Sequence, residues 1–132
     1  MSGVAIVRHL LANDAALTAA VAASKIKAGV VPINTTLPAV SIRQISAREY
    51  ESIKRGTNQL VIERVQISAL TETYPQQKSI LNLVRAALPA TRGTVNGFVV
   101  DSIIRDTEGP DLQYDDPVMF EQSIDYMVGF VR

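Results

Sequence analysis

Five acids crowd one short stretch: Asp106, Glu108, Asp111, Asp115 and Asp116. Oxygen-rich runs of this kind can ligate calcium or magnesium. The spacing matches no EF-hand loop and Gly109-Pro110 breaks the run. The stretch therefore reads as a solvated acidic loop or an interface loop, with no metal site. Arg43, Arg48, Lys54, Arg55 and Arg64 form a candidate basic strip along one side of a sheet. Such a strip is either a solvated strand edge and loop or a protein contact. The aromatic platforms that usually accompany nucleic-acid backbones are missing. His9 is the sole histidine and there is no cysteine. Thiolate metal sites, disulfides and cysteine nucleophiles are thereby excluded, and His9 has no companion histidine for a metal. No serine lies in a Gly-x-Ser-x-Gly elbow, and Gly93 and Gly97 fit no phosphate-binding motif. The expectation is no enzyme and no cofactor.

The 132 residues make one domain's worth of chain, with 47% apolar and 20% charged residues, enough to bury a core. No signal peptide is visible, because Arg8 and His9 interrupt the early apolar stretch, and the apolar runs fall short of a membrane span. Net charge is zero, which argues against a dedicated nucleic-acid binder. The charges are unevenly placed, however. Residues 1–92 hold eleven Lys and Arg against five Asp and Glu, a net +6, whereas residues 93–132 hold two against eight, a net −6. Either this is chance and solubility, or a basic patch on one subunit meets an acidic patch on the next. Head-to-tail contacts of that kind generate rings or filaments.

The elements that must position these residues follow from periodicity. Val4, Val7, Leu10 and Leu11 have helical spacing, predicting a helix over residues 3–12. Asp14 is a candidate N-cap for an alanine-rich helical turn through Ala23. A short strand from Lys25 to Val31 and another from Val40 to about Ile45 come next. Ser46 to Asn58 is crowded with charge and reads as a loop, long enough to be functional or mobile. A third strand spans Leu60 to Leu70. Pro75 suits a first helical turn, and Ile80, Leu83, Val84, Ala87 and Leu88 draw a buried stripe that ends at Pro89. Val95-Asn96-Gly97-Phe98 is a hairpin signal, because Asn and Gly tolerate the positive φ of a type I′ turn. A strand from Phe98 to Arg105 leads through the acidic loop, Asp106 to Asp116. Val118, Phe120, Ile124, Tyr126, Val128 and Phe130 then fall on even positions with Glu121, Ser123 and Asp125 on odd ones, one long strand with an oily and a wet face. The predicted class is α+β: an antiparallel sheet of three to five strands with two main helices on one face, residues 1–132 forming one domain.

Taken in order, these pieces resemble the tail-completion, or tail terminator, family of long-tailed bacteriophages and prophages. The matching residues begin with Leu10 to Thr18 (Leu-Leu-Ala-Asn-Asp-Ala-Ala-Leu-Thr), Val31-Pro32 and Leu37-Pro38-Ala39-Val40. They continue through Val65-Gln66-Ile67-Ser68, Thr73-Tyr74, Val84-Arg85-Ala86-Ala87-Leu88 and Arg92-Gly93. They close with Asp111-Leu112-Gln113-Tyr114-Asp115 and the strand from Phe120 to Val131.

The resemblance implies a structural subunit of a ring, typically hexameric, at the head-proximal end of the tail tube in the virion. The ring would stop tube polymerisation and present a surface to the head-side connector or stopper protein. The expected partners are other copies of the chain, the tail tube protein and that connector. No membrane and no specific nucleic acid is expected, though DNA would pass through the ring. Synthesis is expected in the bacterial host cytoplasm. The loop at 46–58 becomes the candidate contact element, with Arg48, Glu49, Tyr50, Lys54 and Arg55. Arg43 from the basic strip and Asp111, Asp115 and Asp116 from the acidic loop complete the candidate interface. The rival reading is a small α+β adaptor that binds as a low-order oligomer through its sheet edge.

Overall fold

A computed structural model describes residues 2–32, 35–50, 59–89, 93–115 and 118–131. Helix α1 (Ser2–Ala12) and helix α2 (Ala15–Ala20) open the chain, followed by a 3-10 turn (Ala23–Lys25) and strand β1 (Ile26–Ala28). Asp14 caps α2, its Oδ1 accepting from the backbone N–H groups of Ala16 and Leu17 at 3.0 and 3.2 Å. Strands β2 (Ala39–Tyr50) and β3 (Leu60–Thr71) precede helix α3 (Tyr74–Ala87). Strands β4 (Gly93–Val95), β5 (Phe98–Glu108), β6 (Leu112–Asp115) and β7 (Val118–Val131) complete the chain.

The strands form one sheet in the order β1-β2-β3-β7-β5-β4, with β6 pairing β7 beyond the end of β5. The α+β class holds, with two corrections. The sheet has seven strands, and it is mixed: β1 runs parallel to β2 while the other pairs are antiparallel. Short β1 escaped the antiparallel expectation because its chain returns to the edge of β2 through residues 29–38 instead of through a tight hairpin.

The core lies between the sheet and the helices. Odd residues of β3 (Val61, Val65, Ile67, Ala69) and even residues of β7 (Ile124, Tyr126, Val128, Phe130) face it. Val4, Ile6, Val7 and Leu11 of α1 close over them, with Ile80, Leu81 and Val84 of α3. The buried stripe of α3 includes Gln77 and Leu81, whereas Leu83 is only partly buried against the core. Thr73 caps this helix, its hydroxyl accepting from Gln76 N–H at 3.4 Å, and Pro75 occupies the first turn. Asn96 and Gly97, at φ 49° and 82°, make the β4–β5 turn that the Asn-Gly pair predicted.

Two expected loops contain strand residues. Ser46 to Tyr50 continues β2, paired rung by rung with Arg64 to Leu60 across a bulge after Gln44; residues 51–58 lie outside the described residues. The polar composition of 46–50 concealed this, because a strand exposed on both faces has no apolar alternation to reveal it. Likewise Asp106 to Glu108 belongs to β5 and Leu112 to Asp115 to β6, so most of the acidic loop is the outer arm of a long hairpin with β7.

Candidate assembly surface

The charge asymmetry along the chain is spent partly inside the subunit. Arg64 donates through Nη1 to Asp106 at 2.6 Å and to Asp125 at 3.2 Å. Lys78 donates to Asp111 at 2.7 Å and to the Gln122 side-chain oxygen at 2.7 Å. Arg85 pairs with Glu108. Each of these three bridges joins a base before residue 92 to acids after it, so the acidic hairpin is tied to α3 and β3. The Arg64 guanidinium, with help from the Thr107 hydroxyl, holds the Asp106 carboxyl below its ordinary range. Lys78 does the same for Asp111, assisted by the Tyr74 hydroxyl at 2.8 Å. Tyr74 also packs edge-on against Phe120, fixing the start of α3 over the hairpin.

The candidate contact residues therefore separate. Arg43 is exposed on β2 and donates to the Gln66 side chain at 2.6 Å. Arg48, Glu49 and Tyr50 are exposed at the C-terminal end of β2. Asp111 is engaged with Lys78 and Tyr74 on the helix side, while Asp115 is exposed on β6. Lys54, Arg55 and Asp116 lie outside the described residues. Arg64 leaves the basic strip for the ion pairs above, so that strip is shorter than the sequence suggested.

No helix among the described residues covers the opposite face of the sheet. Ile62, Met127, Ile104 and Val99 lie there, Ile104 at 58% and Val99 at 54% exposure, with Tyr50 at 45% at the end of β2. A shallow hollow of about 320 Å³ between Tyr50, Ile62, Arg64 and Met127 marks this face. A second cleft of about 480 Å³ lies at the other end of the sheet, between Val31, Pro32, Leu37, Leu70, Val118 and Met119. Neither brings together an acid, a base and a nucleophile in catalytic reach. No group of three metal-ligating side chains occurs among the described residues, and His9 is an exposed side chain on α1.

Glu63 went unnoticed in the sequence. It lies on the core side of β3, fully buried, at the start of α1, where its Oε2 accepts from Gly3 N–H at 3.1 Å. A helix N-terminus welcomes a carboxylate through its unpaired N–H groups and dipole. A Cβ on Gly3 would sit 2.7 Å from the Glu63 carboxyl carbon, so glycine is what lets the helix come this close. The signal was present: extending the odd-numbered alternation of Val65, Ile67 and Ala69 back by one step places Glu63 on the buried face.

The described residues thus form a sheet backed by helices on one face, with Ile62, Val99, Ile104 and Met127 on the other. A model of the family described as tail completion protein gp17 matches residues 5–128. The chain belongs to that family and is a structural protein of the phage tail. A solved chain from a structure titled virion of native gene transfer agent particle shares the fold. Its TM-score is 0.71 and its identity 14%, covering 98% of this chain and 94% of that one. Among curated proteins, nothing matches significantly.

Proposed function

We propose that this chain assembles as a ring, hexameric by family analogy, on the head-proximal end of the tail tube. There it ends tube polymerisation and forms the joining surface for the head-side connector, without catalysing a reaction. DNA passes through the ring, and the subunit is made in the host cytoplasm before entering the virion tail. The observation that carries this reading is the family match across residues 5–128. Among the described residues the sheet has a face without a helix and edge segments without a paired strand, which supports it, because a subunit that must bind copies of itself and two further partners needs several surfaces at once. Arg48, Glu49 and Tyr50 stand at the end of β2, where the chain enters 51–58; they are proposed contacts, with Lys54 and Arg55 beyond them.

Electron microscopy of particles made without this chain is the test. Overlong tails, or finished heads lying apart from unjoined tails, are expected. Joined particles with tails of normal length would overturn the reading and favour the adaptor alternative.

A further inference from the structure

The two sides of the sheet are left open in a matching way. On one side β1 covers β2 only from Val40 to Ile42, and no strand among the described residues pairs with the outer edge from Arg43 to Tyr50. On the other, β4 covers β5 only from Phe98 to Val100, leaving Asp101 to Glu108 bare on the outer side. The register across the sheet places these two edge segments at the same height. Arg48 lies across from Ile62, then Gly129, then Ser102; Ser46 lies across from Arg64, Met127 and Ile104; Arg43 lies across from Gln66, Asp125 and Thr107. β2 and β5 run antiparallel to each other, so a copy set beside another in the same orientation presents β5 to β2 as an antiparallel neighbour.

Charge and shape agree with this. The β2 edge carries Arg43, Arg48 and Glu49, a net +1, and the β5 edge carries Asp101, Arg105, Asp106 and Glu108, a net −2. Asp106 is occupied by Arg64 and Glu108 by Arg85, but neither the Arg48 nor the Asp101 side chain has a hydrogen bond or ion pair among the described residues, and both residues are exposed. They stand on opposite edges at neighbouring rungs. Both edges are also bulged, after Gln44 in β2 and after Val100 and Arg105 in β5. Bulges deter an arbitrary strand from adding to an edge. An edge so shaped selects a partner with complementary irregularity.

Resting on the ring reading above, we infer that neighbouring copies join by antiparallel pairing of the β2 edge, Arg43 to Tyr50, with the β5 edge, Asp101 to Glu108, in the register that sets Ser46 against Ile104 and Arg48 beside Asp101. The backbone ladder and the apolar side chains Ile45 and Ile104 supply adhesion, and the Arg48–Asp101 pair sets the register. The contact is heterologous, each copy using a different edge toward each neighbour, and repeating it around a closed rotation makes a ring.

The chain has no cysteine, which makes the test clean. Particles are made with the Ser46→Cys/Ile104→Cys double variant in place of the natural chain and then oxidised. Facing residues of antiparallel strands lie within disulfide reach, so a reducible ladder of covalent multimers is expected, with each single-cysteine variant giving at most dimers. Particles with joined tails and no ladder would overturn the edge pairing while leaving the tail-completion role intact. Should the cysteine variant fail to join heads to tails, charge exchange decides. Arg48→Asp and Asp101→Arg alone are each expected to lower the yield of joined particles by roughly tenfold, and the two together to restore it. A double exchange no better than the single ones overturns the pairing. Failure of the tail role shows separately, as normal tails in particles lacking the chain.

Discussion

On the helix side of the sheet, Val61, Val65, Ile67, Ile124, Val128 and Phe130 are sealed from solvent. On the other side, the neighbouring residues Ile62, Met127, Ile104 and Val99 remain in contact with it. Both faces are built by the same strands with the same period of two. Among the described helices only α1 and α3 cover a face, and they cover the first, so the core and the stability it gives lie on that side. Two ionisable residues adjacent in sequence fit the same division. Glu63 on the covered face is held by a helix terminus, whereas Arg64, its neighbour in sequence, reaches across the open face to Asp106 and Asp125.

The largest test of this contrast is a cavity in the covered face. Phe130→Ala removes a fully buried ring that packs edge-on against Phe98 and is expected to cost about 3–5 kcal/mol in denaturant unfolding. Next comes the charge beneath α1. Glu63→Ala strands the Gly3 N–H in the interior and should cost about 1–3 kcal/mol. Glu63→Gln retains an acceptor and should cost less, and equal losses for both would show that the hydrogen bond to Gly3 contributes nothing.

A smaller effect concerns the ties between α3 and the acidic hairpin. Asp106 and Asp111 titrate below their ordinary values because of Arg64 and Lys78. Groups with lowered folded-state values add stability above the unfolded value, near 4, and lose it as pH falls through the lower folded-state value. Acid unfolding should therefore steepen below about pH 4. Asp111→Asn should flatten that limb while leaving the neutral-pH fold in place by circular dichroism. Smallest of all, Ile104→Thr on the open face should shift stability by no more than about 0.5 kcal/mol. A loss comparable to that of Phe130→Ala would mean that the open face is part of the folding core.

Much of the fold was legible because periodicity reports which face of an element is oily. The alternation from Val118 to Phe130 located β7 and, from Ile124 on, its buried side, although Val118 at the strand's start is exposed; the i, i+3, i+4 spacing from Ile80 to Leu88 located α3, and Asn96-Gly97 marked the hairpin. Strand β2 beyond Ile45, the outer part of β5 and β6 were hidden for the converse reason. Their residues are wet on both faces, so nothing in their order distinguishes them from a loop until β3 or β7 is seen to pair with them. The candidate contacts divided along the same line. Arg48, Glu49 and Tyr50 were found as exposed charged and aromatic residues, but their place on a strand edge was not.

Residue order alone thus settled the α+β class, the alternating buried face of β3 and β7, most of the buried stripe of α3, and the absence of cysteine chemistry, since each is a local property of type and spacing. Tertiary structure decided which acids are consumed by Arg64, Lys78 and Arg85 and that Glu63 sits under a helix start. It also decided that Arg48 and Asp101 stand at neighbouring rungs on opposite edges. Those are relations between residues far apart in the chain, and they exist only once strand register has brought the distant segments side by side.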